Sequence, residues 1–214
     1  MTIMQQKLFS SGAALDKLAA IDADIANALS RFGPPPDRSL PASFETLARS
    51  IIGQQISRAA ASAIWTRMRD QDQSSAPIIA AKQPDDLMLF GLSRRKAEYL
   101  IGIADEIQSG RLDLAALAEM SSQDVQIRLV EIRGIGAWTA DNFRLFALGD
   151  MDAWPANDIA LQEGMKRLKS LNERPNGKML EKLGEAWRPY RGAGALMLWH
   201  IYGILVRKAT IDEI

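Results

Sequence analysis

The apolar residues of this chain recur three and four positions apart almost from end to end, and that period commits it to helices. Leu15, Leu18, Ile21, Ile25 and Leu29 fall on one stripe. Phe44, Leu47, Ala48 and Ile51 form another, and Ala97, Leu100, Ile101, Ala104 and Ile107 a third. Leu161, Met165 and Leu168 continue the pattern, followed by Leu198, Trp199, Tyr202, Leu205 and Val206. Such spacing places apolar side chains on one helix face. No sustained strand-type alternation interrupts it, so the predicted fold class is all-α. Gly33-Pro-Pro-Pro36 must break a helix and reads as a stiff linker. Gly53 divides two patterns, Ser93 is placed as an N-cap, and Pro84-Asp85-Asp86 reads as a helix start. The elements group into one unit of two helical lobes, the first from about residues 50–130 and the second from about 1–49 plus 131–214.

Composition narrows the chemistry. The 214 residues include no cysteine and one histidine, His200. Disulfides, cysteine nucleophiles, cysteine-held clusters and a zinc site of the His/Cys kind are thereby excluded. Lys+Arg and Asp+Glu both number 26, so binding to a polyanion by net charge alone is excluded. Residues 1–10 hold no long apolar core, and the most apolar stretch, 193–206, is shorter than the ~20 residues of a membrane helix. The chain reads as soluble and cytoplasmic, associated with the nucleoid if bacterial.

Between the helical patterns at 125–131 and 137–148 lies Glu131-Ile-Arg-Gly-Ile-Gly136, followed by Ala137-Trp-Thr-Ala140. Gly134 and Gly136 permit positive φ and close backbone approach. They also present the first amides of the next helix, from Ala137 to Thr139, where N–H groups and helix dipole suit a phosphate. This is the layout of a helix-hairpin-helix, a contact that carries no base sequence information. A plain tight turn between helices uses the same Gly-x-Gly, so the motif alone leaves both readings open. Trp154-Pro-Ala-Asn-Asp158 opens the next helical pattern. An Asp there caps the helix. The same carboxylate can stabilise positive charge developing on a reacting carbon or orient a water. Asn157 and Asp152 are polar neighbours that spacing alone does not exclude.

Taken together, the motifs resemble a known family. Gly134-Ile-Gly136-Ala-Trp-Thr-Ala140 with Pro155-Ala-Asn-Asp158 is similar to the signature of the helix-hairpin-helix DNA glycosylases that carry the Gly/Pro-Asp motif. Ser50-Ile-Ile-Gly-Gln-Gln-Ile-Ser57, Gly91-Leu-Ser-Arg-Arg-Lys-Ala-Glu-Tyr99, and Trp187-Arg-Pro-Tyr-Arg191 with Trp199 resemble further blocks of its alkylpurine branch, the DNA-3-methyladenine glycosylase II type. The match runs from Phe44 to Tyr202, most of the chain. Larger bacterial relatives carry a β-rich N-terminal domain; here 43 residues precede Phe44, as in the compact enzymes of that branch.

The resemblance implies two lobes with a cleft between them, and base excision repair of double-stranded DNA holding damaged bases. The damaged nucleotide is flipped into the cleft. Asp158 is then the catalytic carboxylate. Trp138 stands where lyase-active relatives carry a lysine, and a tryptophan forms no Schiff base with the sugar. The implied enzyme is therefore monofunctional and leaves an abasic site. Its implied substrates are alkylated purines such as 3-methyladenine and 7-methylguanine, cationic bases that leave easily and are attracted to aromatic faces. Trp199, Trp138, Trp154 and Asn142 are the implied base pocket. Gln54 and Gln55 match the turn that fills the gap left in the stack. Gly134, Gly136, Ala137, Thr139 and Arg133 contact DNA, and Arg144, Arg188, Arg191 and the run Arg94-Arg95-Lys96 could extend that surface. His200 is assigned a structural or rim place. The resemblance also implies a monovalent cation at the carbonyls of Val130, Ile132 and Ile135; no other cofactor, no iron–sulfur cluster, no membrane and a monomer are expected. Two alternatives stay open: a non-catalytic helix-hairpin-helix repair factor, and a glycosylase for deaminated or oxidised bases.

Overall fold

The computed structural model describes residues 11–207, and among them every regular element is a helix. The first stripe forms two helices, α1 (Ser11–Ile21) and α2 (Ala23–Phe32), because Asp22 ends one and caps the other. Its Oδ1 accepts from the amides of Asp24 and Ile25. The proline segment then crosses as an extended strap to α3 (Phe44–Gly53), capped by Ser43. After α3 come α4 (Arg58–Asp70), α5 (Ala76–Ala80), α6 (Pro84–Met88), α7 (Arg94–Gln108) and α8 (Ser122–Val130). Pro84 opens α6 and Ser93 caps α7, both as expected.

The hairpin leads into α9 (Ala137–Phe143), which continues through a π turn over Arg144–Leu148. The chain closes with α10 (Ile159–Leu168), α11 (Gly177–Gly184) and α12 (Arg191–Leu205).

Two hydrophobic cores result. One gathers Leu47, Ala48 and Ile51 of α3 with Leu100 and Ile103 of α7, the hairpin residues Ile132 and Ile135, and Ala140 and Phe143 of α9. The other gathers Leu15, Leu18 and Ile25 with Leu161, Met165, Trp187, Leu198 and Ile201. The expected division is corrected in one respect. The hairpin and α3 belong to the first core, because the isoleucines of the hairpin and the apolar face of α3 are buried there. Asp158, at the start of α10, belongs to the second lobe, so hairpin and carboxylate lie on opposite sides of the division. Residues 1–10 and 208–214 of the expected second lobe lie outside the described residues.

One buried ion-pair network ties α8 to the end of the π turn, and a second lies within the second lobe. The Arg144 guanidinium meets the fully buried Asp150 at 2.6 Å and Asp141 at 3.0 Å. Ser122, from the start of α8, donates to the same Asp150 oxygen. Arg191 pairs with Asp152 at 2.7 Å. Buried charges so paired are costly to break, since each would leave its partner stranded.

Candidate active site

Asp158 is the N-cap of α10, and its Oδ1 accepts from the Leu161 amide at 2.8 Å. Two indoles complete its shell. Trp138 Nε1 donates to Oδ2 at 2.8 Å, and Trp199 Nε1 donates to Oδ1 at 3.1 Å. Three N–H donors from three helices thus meet one carboxylate, which fixes its orientation. α9 brings Trp138 in its first turn, directly after the hairpin. α12 brings Trp199 because α12 lies almost against the backbone of α10: a Cβ on Gly164 would sit 2.4 Å from the Leu198 carbonyl oxygen.

Beside Asp158 opens a cavity of about 520 Å³. Its aromatic walls are Trp138, Phe143, Phe146 and Trp199, with Phe146 stacked on Trp199 at 5.5 Å between ring centres. Asn142 also lines it, its amide donating to the Trp138 carbonyl. The strap supplies Arg38, Leu40 and Pro41, and α3 supplies Glu45, Thr46, Arg49 and Ser50. The strap is pinned by Leu40 N–H to the Phe146 carbonyl at 2.8 Å and by the Thr46 hydroxyl to the Pro41 carbonyl at 2.7 Å. Glu45 and Asp158 are the carboxylates on the wall, and Glu45 is paired with Arg49. The volume suits a purine between aromatic faces.

The hairpin forms a second hollow of about 480 Å³, lined by Val130, Ile132, Gly134, Ile135, Gly136 and the side chains of Gln54, Gln55, Arg95, Lys96 and Arg133. Gly134 adopts φ +100°, and a Cβ there would strike the Tyr99 ring at 2.5 Å. Gly136 caps α9 without a side-chain hydrogen bond, so the first-turn amides face outward at the positive end of the dipole. Arg133 is exposed, paired with Glu98 at 3.4 Å and stacked over Tyr99. Ala137 is exposed and Gln55 sits at the tip of the α3–α4 turn with φ +58°.

Several expected contacts are not where the sequence put them. Trp154 is buried in the second core, its indole donating to the Leu180 carbonyl and its ring edge-on to Trp187, so it does not line the Asp158 cavity. The Thr139 hydroxyl is buried, and both it and the Gly134 carbonyl accept from Gln54 Nε2. Gln54 therefore staples its turn to the hairpin rather than pointing outward. Lys96 does likewise, donating to the carbonyls of Ile52 and Gln54. Arg144 and Arg191 are buried in ion pairs, and Arg188 is paired with Asp152 and Glu185. Arg144 and Arg191 are therefore not free to form an outer surface, whereas Arg188 is exposed beside its partners. Asp152 is held by these arginines, which removes it as a rival to Asp158, and Asn157 lies outside the cavity wall. His200 is buried with Nε2 at 3.0 Å from the Phe32 carbonyl, a structural place.

Residues 48–189 match the family model of the HhH-GPD superfamily of base excision DNA repair proteins. The chain belongs to this superfamily. Among relatives of this HhH-GPD chain, the Schizosaccharomyces pombe DNA-3-methyladenine glycosylase 1 is 32% identical over 77% of this chain and 75% of its own. The crystal structure of a DNA-3-methyladenine glycosidase from Bacillus halodurans superposes with a TM-score of 0.79 at 31% identity, covering 94% of each chain. An S. pombe 3-methyladenine DNA glycosylase in complex with abasic DNA gives 0.72 at 26% identity, covering 87% of this chain and 94% of that one. Two Bacillus subtilis relatives are longer, and the chain spans 42% and 58% of their lengths.

Proposed function

We propose that this HhH-GPD protein is a monofunctional DNA glycosylase that hydrolyses the N-glycosidic bond of alkylated purines flipped out of duplex DNA. The observation that carries the reading is Asp158, fixed by two indole N–H groups on the wall of an aromatic cavity of purine size. A cationic base such as 3-methyladenine or 7-methylguanine is stabilised between the faces of Trp138, Trp199 and Phe146. With the sugar at the carboxylate, Asp158 stabilises the positive charge that grows at C1′ as the bond breaks and orients the water that follows. The hairpin amides and Arg133 hold the phosphates that keep the nucleotide in place. The names of the relatives support the alkylpurine class, and tryptophan at position 138 supports hydrolysis without strand cleavage. Hairpin, carboxylate and both tryptophans come from one chain, which supports action as a monomer. Val130, Ile132 and Ile135 line the hairpin hollow at the negative end of α8, and a monovalent cation held by their carbonyls would add positive charge toward a phosphate.

The test is base release from a panel of duplexes: methylated DNA for 3-methyladenine and 7-methylguanine, and duplexes with hypoxanthine or 8-oxoguanine. Release of the methylated purines, with strands broken only after alkali, is expected. Release of hypoxanthine or 8-oxoguanine instead, or nicking without alkali, overturns the reading.

A further inference from the structure

The Asp158 cavity holds a second carboxylate that the proposed reaction does not use. Four of the residues on its wall carry charge: Arg38, Glu45, Arg49 and Asp158. Asp158 is committed to the sugar, with one indole N–H on each oxygen. Glu45 is the acidic group left to meet the base. It stands in the first turn of α3, a turn held at two points. Ser43 caps it through the Thr46 amide, and the Thr46 hydroxyl ties it to the strap at the Pro41 carbonyl. Leu47, Ala48, Ile51 and Ile52 point into the first core, so the stripe of Glu45, Thr46, Arg49 and Ser50 faces the cavity.

The ion pair with Arg49 does not use up Glu45. Arg49 meets Oε1 at 3.2 Å, and Oε2 has no hydrogen-bond partner among the described residues. More than half of each side chain is exposed, and an exposed pair at this spacing is weak enough to yield to a better partner. A base that carries both positive charge and N–H donors is such a partner. Methylation at N3 of adenine or N7 of guanine makes the ring cationic and leaves the exocyclic amine as a donor. 7-Methylguanine adds N1–H beside it. Hypoxanthine is neutral and has no exocyclic amine. The aromatic walls attract a cation through their faces but offer no acceptor to an amine. Asn142 agrees with Glu45 in sign: its Nδ2 donates to the Trp138 carbonyl, which leaves Oδ1 as an acceptor.

We infer that Glu45 is a specificity-determining residue, whose carboxylate accepts from the exocyclic amine of a cationic purine and sets the preference for charged over neutral bases. The inference rests on the function proposed above and names the group that selects the base, a task that neither the aromatic walls nor Asp158 performs.

The experiment measures binding to three duplexes that differ at one position. The first carries 7-methylguanine on a 2′-fluoroarabino sugar, which resists hydrolysis. The second carries guanine on the same sugar, and the third a tetrahydrofuran abasic-site analogue. The wild-type protein should hold the methylated duplex more tightly than the guanine duplex. E45Q keeps the size and an acceptor but loses the charge. It should narrow that preference about tenfold, the gap between a hydrogen bond with a charged partner and one without. Its affinity for the abasic duplex, which presents no base, should match wild type. R49Q removes the competing cation and should keep or widen the preference. A wild-type preference in E45Q overturns the inference. So does an equal loss on the abasic duplex, which would assign the effect to the DNA backbone or the fold, and so does an equal narrowing in R49Q, which would assign it to the ion pair. A wild-type protein that releases methylated purines without preferring the methylated duplex overturns the inference alone. One that releases none overturns the functional reading beneath it.

Discussion

The indole N–H of Trp138 and Oδ2 of Asp158 are joined by a 2.8 Å hydrogen bond that crosses from the first lobe to the second. With the Trp199 bond to Oδ1, each oxygen of the carboxylate is oriented by a different helix. Trp138→Phe and Trp199→Phe keep an aromatic face and delete one N–H. A hydrogen bond to a charged group is worth about 1.5–3 kcal/mol. Each variant should slow single-turnover base release by about 10- to 100-fold. Binding to the abasic duplex should stay close to wild type. Unchanged rates in both would mean that the indoles serve only as walls.

Capping and catalysis separate at Asp158. Asn caps a helix about as well as Asp, so Asp158→Asn should unfold at nearly the wild-type temperature while base release drops by at least about 100-fold. Asp158→Ala should lose the same activity and about 1 kcal/mol of stability besides. An Asn variant that releases methylated purines at the wild-type rate would remove the carboxylate from the mechanism.

Gly164 sets how near Trp199 comes to Asp158. The Leu198 carbonyl leaves no room for a methyl group at this position. Gly164→Ala should cost about 1–3 kcal/mol, measured by urea unfolding. Because the shift is passed to the neighbour of Leu198, base release should fall further than the loss of folded protein explains. A variant with wild-type stability and activity would show that α10 and α12 separate without consequence.

Asp141 lies about one turn beyond Trp138 on α9, and burial above all, opposed by Arg144 and Arg191 and helped by Glu181 and Asp150, leaves its pKa raised to about 7. The unfolded chain gives up this proton near pH 4, whereas the folded protein keeps it to about pH 7. Stability from this group therefore falls as pH rises through that window. Asp141→Asn has no proton to lose, so its urea midpoint relative to wild type should climb between pH 5 and pH 8. A difference that is flat or declines with pH would contradict the assignment.

The helical class, the hairpin, the caps at Ser93 and Asp158 and the carboxylate itself were legible because each is a local pattern with a local cause. The cavity wall was less so. Glu45, Thr46, Arg49 and Ser50 follow one polar stripe of α3, opposite its apolar face, but nothing local says what that stripe faces. The π turn at Arg144–Leu148 defeats periodicity outright: Leu145 enters the second core, Phe146 the cavity, and Ala147 and Leu148 the first core. Trp154 was misplaced because a tryptophan near a catalytic motif and a core tryptophan look alike until Gly184 is seen beneath its ring. The lobe boundary shifted because the hairpin's isoleucines, read as a loop, are core residues.

That π turn has a mechanical consequence. One uninterrupted helical rod, α9 with its turn, is embedded in both cores, and the Arg144 cluster clamps it midway. The two lobes cannot swing apart like jaws without fracturing the rod. On the function proposed above, entry to the cavity would be granted by the nucleic acid, through base pairs weak enough to open, and the search for damage would be a survey of helix softness carried out by a rigid probe.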